Sequence, residues 1–545
     1  MKQAEWLLYS TVYSLDVRSF QDGDGDGLGD LQGLISRLDY LKELGIDCLW
    51  LAPFFSSKEL DGGYDVMDYY RIDPALGSME DFRVLIHEAG KRGQKIVLDL
   101  VVNHTSIHHP WFQRAITDPN SIFYEYYIWK KERPRNHRVD VMFPTVEDSN
   151  WAYVEEVDAY YYHTFYHHQA DLNMTNPLVQ QEILRILDFW MGMGILGFRV
   201  DAVPKILKTK GGKKWDGDPY DLLNVWRDRV QWHDSDAVLL GEADVDHRHY
   251  PDFLNDGKLT ALFNFYGNNY TFLSFAREQA APLEHALREL PLNQEEYYLN
   301  FLRNHDELEL GMLEKEEQRE VFQVFAPSES MRVYDRGIRR RLPPMFGNDV
   351  DRTRMAKALL LSLPGTPVLR YGEEIGMGDD LNLPERRSVR TAMQWSTGPN
   401  AGFSDITPQA LRYALIREGE FGYPKVNVAD QQTDSTSLLH MLKGLLAIRR
   451  KWIEWFAHGS FSVLPVEETA VLGYSYLHQG AYLVIVVNLA GRHVDFHLAS
   501  PLPEGAQLSV LARSEKVKAN MKHDRMEMSL PRYGYSWLMV ERRDA

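Results

Sequence analysis

Short runs of apolar, β-favouring residues recur along this chain, and each is followed by an amphipathic or polar stretch. The runs lie near residues 8 to 18, 48 to 55, 95 to 102, 196 to 203, 237 to 243, 260 to 267, 297 to 305 and 366 to 372. Eight strands alternating with amphipathic helices predict an α/β protein built on a closed (β/α)8 TIM barrel. One helix is legible at residues 79 to 89, with Gly90 and Gly93 marking its end. Two intervals are too long for simple connections. Residues 105 to 172, rich in aromatics, read as a domain inserted after the third strand, and residues 308 to 355 separate the seventh strand from the eighth. Beyond the helix at 438 to 452 the texture turns all-β, as in Ala481-Tyr482-Leu483-Val484-Ile485-Val486-Val487, which predicts a small antiparallel β-sandwich. The expected organisation is a barrel from residues 1–104 and 173–456, an inserted domain at 105–172 and a C-terminal β-sandwich domain at 457–545.

Composition narrows the partners. At 545 residues with 44% hydrophobic content the chain supports a large core and two or three domains. A formal charge of -18 argues against nucleic acid or an anionic membrane as partner, whereas a neutral small molecule is indifferent to it. A homo-oligomer is compatible with these features. The single cysteine, Cys48, excludes an intramolecular disulfide, fits a reducing compartment and, within Cys48-Leu49-Trp50-Leu51-Ala52, is expected to be a buried packing residue. The N-terminal residues lack an apolar signal core and no stretch approaches 18 apolar residues, so a cytoplasmic location is expected. The basic run Arg339-Arg340-Arg341 reads as a solvated face or as salt bridges to local acids.

Candidate chemistry begins at Gly197-Phe198-Arg199-Val200-Asp201-Ala202. Side chains two apart on a strand share a face, so Arg199 would hold Asp201 ionised at neutral pH. Two further apolar runs end in acids, Glu242 after Val238-Leu239-Leu240-Gly241 and Asp306 after Phe301-Leu302-Arg303-Asn304-His305. Glu242 has no cation in its adjoining sequence, and desolvation would raise its pKa. One charged and one protonated carboxyl are what retaining cleavage of a glycosidic bond requires. Separately, Asp22-Gly23-Asp24-Gly25-Asp26-Gly27-Leu28-Gly29-Asp30 sets carboxylates at alternate positions with glycines between them, a hard-cation pattern. It begins like an EF-hand loop, but its twelfth position is Gly33 rather than Glu.

The blocks Asp99-Leu100-Val101-Val102-Asn103-His104, Gly197 to Ala202, Leu240-Gly241-Glu242-Ala243 and Phe301 to Asp306, in this order, resemble the α-amylase superfamily of glycoside hydrolases. Gln169-Ala170-Asp171-Leu172-Asn173 and Arg390-Thr391-Ala392-Met393-Gln394-Trp395 resemble two more of its blocks, with Ala170 and Ala392 where relatives usually have Pro. The resemblance implies that the insertion is that family's domain B. It implies Asp201 as nucleophile, Glu242 as acid/base and Asp306 as the acid that stabilises the transition state, with Arg199, His104 and His305 lining the reacting subsite. In Gly63-Tyr64-Asp65-Val66 it implies that Tyr64 stacks on the sugar and that Asp65 pairs with Arg390, closing the pocket behind a terminal glucose. It further implies a structural Ca2+ held by Asp22, Asp24, Asp26, the carbonyl of Leu28 and Asp30, a second calcium near Asn103 and Asp171, and no organic cofactor.

Within the superfamily the stretches Ser19-Phe20-Gln21-Asp22, Gly337-Ile338-Arg339-Arg340-Arg341-Leu342 and Gly372-Glu373-Glu374-Ile375-Gly376-Met377 are similar to those of trehalose synthases. Lys205, Asp244 and Gly311 depart from the Tyr, Asn and Glu typical there, at positions expected near the pocket. The expected activity is retaining cleavage of α-glucosidic bonds in short α-glucosides such as maltose, by hydrolysis or glucosyl transfer. Maltose–trehalose isomerisation is the alternative. A non-catalytic scaffold is the alternative from another class, and such relatives lose the acids and carry a membrane span, whereas all three acids are present here.

Overall fold

The computed structural model describes residues 4–139, 141–290, 297–499, 506–522 and 525–542. The remainder of the expected C-terminal domain, and the first three residues of the expected non-signal N-terminus, lie outside the described residues.

Eight parallel strands close into a barrel: β1 (Val12–Leu15), β2 (Cys48–Leu51), β3 (Lys95–Leu100), β4 (Gly197–Val200), β5 (Val238–Gly241), β6 (Ala261–Phe263), β7 (Tyr297–Asn300) and β8 (Thr366–Arg370). All eight predicted runs contain one of these strands. Their residues are buried on both faces, which is why they read as continuous apolar runs. Alternation sorts the side chains into two layers. Val12, Cys48, Trp50, Val97, Val238, Leu240, Phe263 and Leu299 fill the barrel interior, while Tyr13, Leu49, Leu98, Phe198, Leu239 and Leu369 face the surrounding helices. Cys48 is a packing residue of the inner layer, its thiol pushed up to about 12 by burial.

The helix expected at residues 79 to 89 spans Met79–Lys91. Ser78 and Asp81 close its start as a reciprocal capping box. It continues through Gly90, and the turn comes at Gly93, whose φ of +68° suits a residue without a side chain.

After β3 the chain leaves the barrel. His104–Ser106 pairs with Gln169–Asp171, so the excursion departs and returns through one two-stranded ribbon. Between these lies a three-stranded antiparallel sheet of Trp129–Lys130, Ala159–Tyr162 and Trp151–Val154. C-terminal to the barrel, a five-stranded and a three-stranded antiparallel sheet bury Val471, Val484, Phe496, Met526, Met528 and Leu538 between them. Among the described residues no helix is long and apolar enough to cross a membrane.

Strand register positions the site. In β4, Arg199 lies opposite Asp99 of β3 and Leu240 of β5. Sequence-distant polar residues are thereby set side by side at the C-terminal mouth of the barrel.

Candidate active site

Arg199 is the centre of the site. Its Nη1 donates to Asp99 and to Asp201, both at 2.6 Å, and its Nη2 lies 2.8 Å from Glu242 Oε1. The indole of Trp50 lies 5.1 Å from the guanidinium and donates to Asp99 at 3.0 Å. One buried cation thus holds three carboxylates, not one.

This division alters the expected electrostatics. Burial pushes Asp201 up to about 6, opposed by Arg199 and reinforced by Asp99 and Asp306, so Arg199 does not hold it below the usual range as its sequence spacing suggested. Glu242 has a cation beside it after all, supplied across the β4–β5 pairing. Even so, burial pushes it up to about 7. Ala202, in the left-handed region at φ +46°, turns the chain directly after Asp201 and donates its N–H to Glu242 Oε2 at 2.9 Å.

Asp306 stands opposite. Burial raises it, but Arg386 at 3.1 Å, His305 at 3.3 Å and Arg390 at 2.7 Å together hold it well below the usual carboxylate range. His305 stacks on Tyr64, with ring centroids 5.2 Å apart and planes 9° apart, and its Nε2 lies 2.7 Å from the Tyr64 hydroxyl. That hydroxyl donates to Asp99, while His104 Nε2 lies 3.0 Å from the Tyr64 carbonyl. Burial lowers the pKa of both His104 and His305. Tyr64, His104, Asp201, Glu242 and Asp306 line one cavity of about 230 Å³.

Asp65 is not the partner of Arg390. Its carboxylate is fully buried and accepts the Ser57 hydroxyl and the N–H groups of Lys58, Leu60 and Asp61, so it shapes the loop instead of the pocket. Asp61 takes that place, 3.4 Å from Arg390 Nη1 and on the cavity wall. The sequence reading also missed Asp99, whose role depends on strand register, and Arg386, which lies four residues before Arg390 and so on a 3-10 turn beside it.

The second expected calcium position is filled by the protein. Lys210 Nζ lies 2.6 Å from Asn103 Oδ1 and 2.7 Å from Asp171 Oδ2, and Asp171 also accepts the N–H and hydroxyl of Thr164. An ammonium therefore neutralises the carboxylate a cation was expected to meet. In the first loop, Asp22, Asp24 and Asp30 each bring an oxygen to within 4.8 Å of the others, a donor set that fits a hard cation. Asp26 faces away from that cluster toward Arg412 at 2.5 Å and accepts the Leu28 N–H.

Lys205 and Asp244 line the cavity, but Gly311 does not. Glu309 does, and its carboxylate accepts the Gly311 N–H at 2.8 Å. A Cβ at position 311 would stand 2.7 Å from Glu309 Oε1, so Glu309 occupies the space that a side chain there would need.

Comparison with known proteins agrees with this arrangement. The α-amylase catalytic-domain profile matches residues 15–459. A trehalose synthase of Thermus thermophilus is 40% identical over 498 residues, covering 90% of this chain and 51% of that protein, so the chain spans about half that relative's length. A trehalose synthase/amylase of Mycobacterium tuberculosis is 40% identical over 476 residues, covering 86% of this chain and 79% of that protein. The solved α-amylase from H. orenii superposes with a TM-score of 0.78 at 26% identity, covering 98% of this chain and 99% of that one. With this match laid over a closed barrel whose strand ends carry Asp201, Glu242 and Asp306, the chain belongs to the α-amylase family.

Proposed function

We propose that this protein cleaves α-glucosidic bonds of short α-glucosides such as maltose, with retention of configuration, and passes the glucosyl group to water or to a second sugar. The observation that carries the reading is the shared guanidinium. Asp201 and Glu242 each rest an oxygen on a nitrogen of Arg199. That keeps them close, which supports a double displacement, whose carboxyl groups stand about 5 to 5.5 Å apart, over an inverting site, which needs a wider gap for water. At neutral pH Asp201 is mostly charged and attacks the anomeric carbon, forming a glucosyl ester as the bond to the leaving oxygen breaks. Glu242, near half protonation, gives its proton to that oxygen and then recovers one from the incoming hydroxyl. Asp306, held charged by the guanidiniums of Arg386 and Arg390, accepts hydrogen bonds from the distorted sugar. The Asp61–Arg390 pair and Arg386 close one side of the cavity, which favours a terminal glucose over the middle of a polymer.

The first loop is proposed to hold a structural Ca2+ through Asp22, Asp24 and Asp30, a cation that would stiffen the connection after β1.

Incubation with maltose, trehalose, sucrose and isomaltose, followed by chromatography, tests the activity; free glucose or transfer products from maltose are expected, and inertness toward all four would refute it. The trehalose synthases among its relatives favour a second reading, in which maltose becomes mostly trehalose. Lys205, Asp244 and Glu309 stand where the released glucose would be held, and argue for looser retention. Installing Lys205→Tyr, Asp244→Asn and Gly311→Glu should raise the trehalose-to-glucose ratio, and more so when Glu309→Ala clears space for the new side chain. A wild-type enzyme yielding mainly trehalose would decide for the second reading.

A further inference from the structure

Behind β7 and β8, four cations meet in a space sized for one small ion. Arg303, Arg341, Lys357 and Arg370 line a cavity of about 10 Å³ whose single acidic side chain is Glu373. All four are buried, at 1 to 3% exposure. Each arginine spends part of its fork on backbone carbonyls. Arg303 donates to Arg340 at 2.8 Å and to Asp306 at 2.7 Å. Arg341 donates to Tyr371 at 2.9 Å, and Arg370 to Asn304 at 2.6 Å and Val389 at 2.7 Å.

One nitrogen of each is left over. Arg303 Nη1, Arg341 Nη2 and Arg370 Nε have no hydrogen-bond partner among the described residues, and neither does Lys357 Nζ, although it lies 3.0 Å from Glu373. Asp379 is committed to Arg340 and the Arg341 N–H, and Glu374 Oε1 to the hydroxyls of Tyr13 and Tyr40; Glu373 Oε1 and Glu374 Oε2 have no partner among the described residues, which leaves two carboxylates against four cations. Buried charge without a counter-charge is strongly disfavoured, and so are buried donors without acceptors. A water molecule would answer the donors but not the charge.

We infer that this cavity binds a monatomic anion of chloride's charge and size, held by Arg303, Arg341, Lys357 and Arg370. Its volume of about 10 Å³, close to that of a single water site, favours a monatomic ion over sulfate or phosphate. Burial has pushed Arg370 down to about 9 and Arg303 to about 10, as expected where cations crowd together away from water. Arg303 and Arg370 also hold the carbonyls of Asp306 and Asn304, so an anion that fixes these two side chains fixes the segment carrying Asp306.

The test is made on the whole wild-type protein, exchanged into chloride-free gluconate buffer. Titration with sodium chloride or bromide, at ionic strength held constant with gluconate, should raise Tm saturably by about 2 °C or more. Crystals soaked in bromide should show an anomalous peak between the four cations. Lys357→Met should raise the half-saturating halide concentration about tenfold or more; if that variant fails to fold, the bromide peak decides alone. A Tm that does not respond to halide at constant ionic strength, or the lack of a bromide peak, would show that the cavity holds water and would overturn the inference.

Discussion

At the scale of single residues, the chemistry rests on how one guanidinium is shared. Asp201→Asn should lower kcat on maltose by on the order of 10³-fold or more while the far-UV and thermal signatures of the fold persist, because an amide cannot form the glucosyl ester. Residual turnover near wild type would move the nucleophile elsewhere. The two raised pKa values give a pH profile. Asp201 must be ionised, so kcat/KM should fall as pH drops through about 6, and Glu242 must be protonated, so it should fall as pH rises through about 7. In Glu242→Gln the alkaline limb should disappear on an aryl glucoside with a good leaving group, and its persistence would place the acid elsewhere. The same shift bears on stability. A carboxyl whose folded pKa exceeds its unfolded value binds more protons when folded, so it favours the fold below about pH 4.5 and progressively less up to about 7. Glu242→Gln should therefore gain Tm relative to wild type at pH 8, by the equivalent of about 1 to 3 kcal/mol, and show no such gain at pH 4. Much of this was hidden in the sequence. Spacing showed that Arg199 faces Asp201, but that it also faces Asp99 and Glu242 depends on which strands are neighbours and in what register, and a one-dimensional pattern does not contain that.

At the scale of elements, the barrel strands were legible because burial on both faces makes them predominantly apolar. Loops were less so. Asp61 and Asp65 flank the same Tyr64, and sequence alone could not say which carboxylate turns inward to its own backbone and which outward to Arg390. Likewise the Arg339-Arg340-Arg341 run, expected as a solvated face or as salt bridges to local acids, meets that expectation only at Arg340, while Arg341 donates to the carbonyls of Tyr371 and Val389. Arg340 pairs with Asp379 and Arg339 donates to the carbonyls of Leu381 and Leu383. The loop after β1 carries the calcium expectation. Asp24→Ala should remove the rise in Tm that Ca2+ gives the wild type, worth about 2.7 kcal/mol at a hundredfold excess over Kd, with little change in kcat at moderate temperature. Identical melting of chelated and calcium-loaded wild type would show that Asp22, Asp24 and Asp30 form a solvated turn.

At the scale of the whole molecule, the barrel and the inserted domain meet around the site, and the C-terminal sandwich contributes no residue to the cavity lining. The C-terminal sandwich is fastened to the barrel through the Tyr474 and Tyr476 hydroxyls, which contact Ser362 at 2.6 and 2.7 Å. The inserted domain is fastened by its ribbon, where Asp171 lies opposite His104 with Lys210 against both Asp171 and Asn103. Lys210→Ala leaves a buried carboxylate without its cation and should cost about 3 to 5 kcal/mol, read as a large fall in Tm. In an Asp24→Ala background, Lys210→Ala should also make Tm respond to added Ca2+, which Asp24→Ala alone should not; a variant as stable as its parent would mean that Lys210 merely fills space. The deeper significance of Lys210 lies in supply. A diffusible cation stabilises according to its concentration, and is lost to any chelator or phosphate-rich medium that captures it. A cation carried on the chain has no concentration to fall, so this junction stays joined wherever the protein is folded, whatever the surroundings provide.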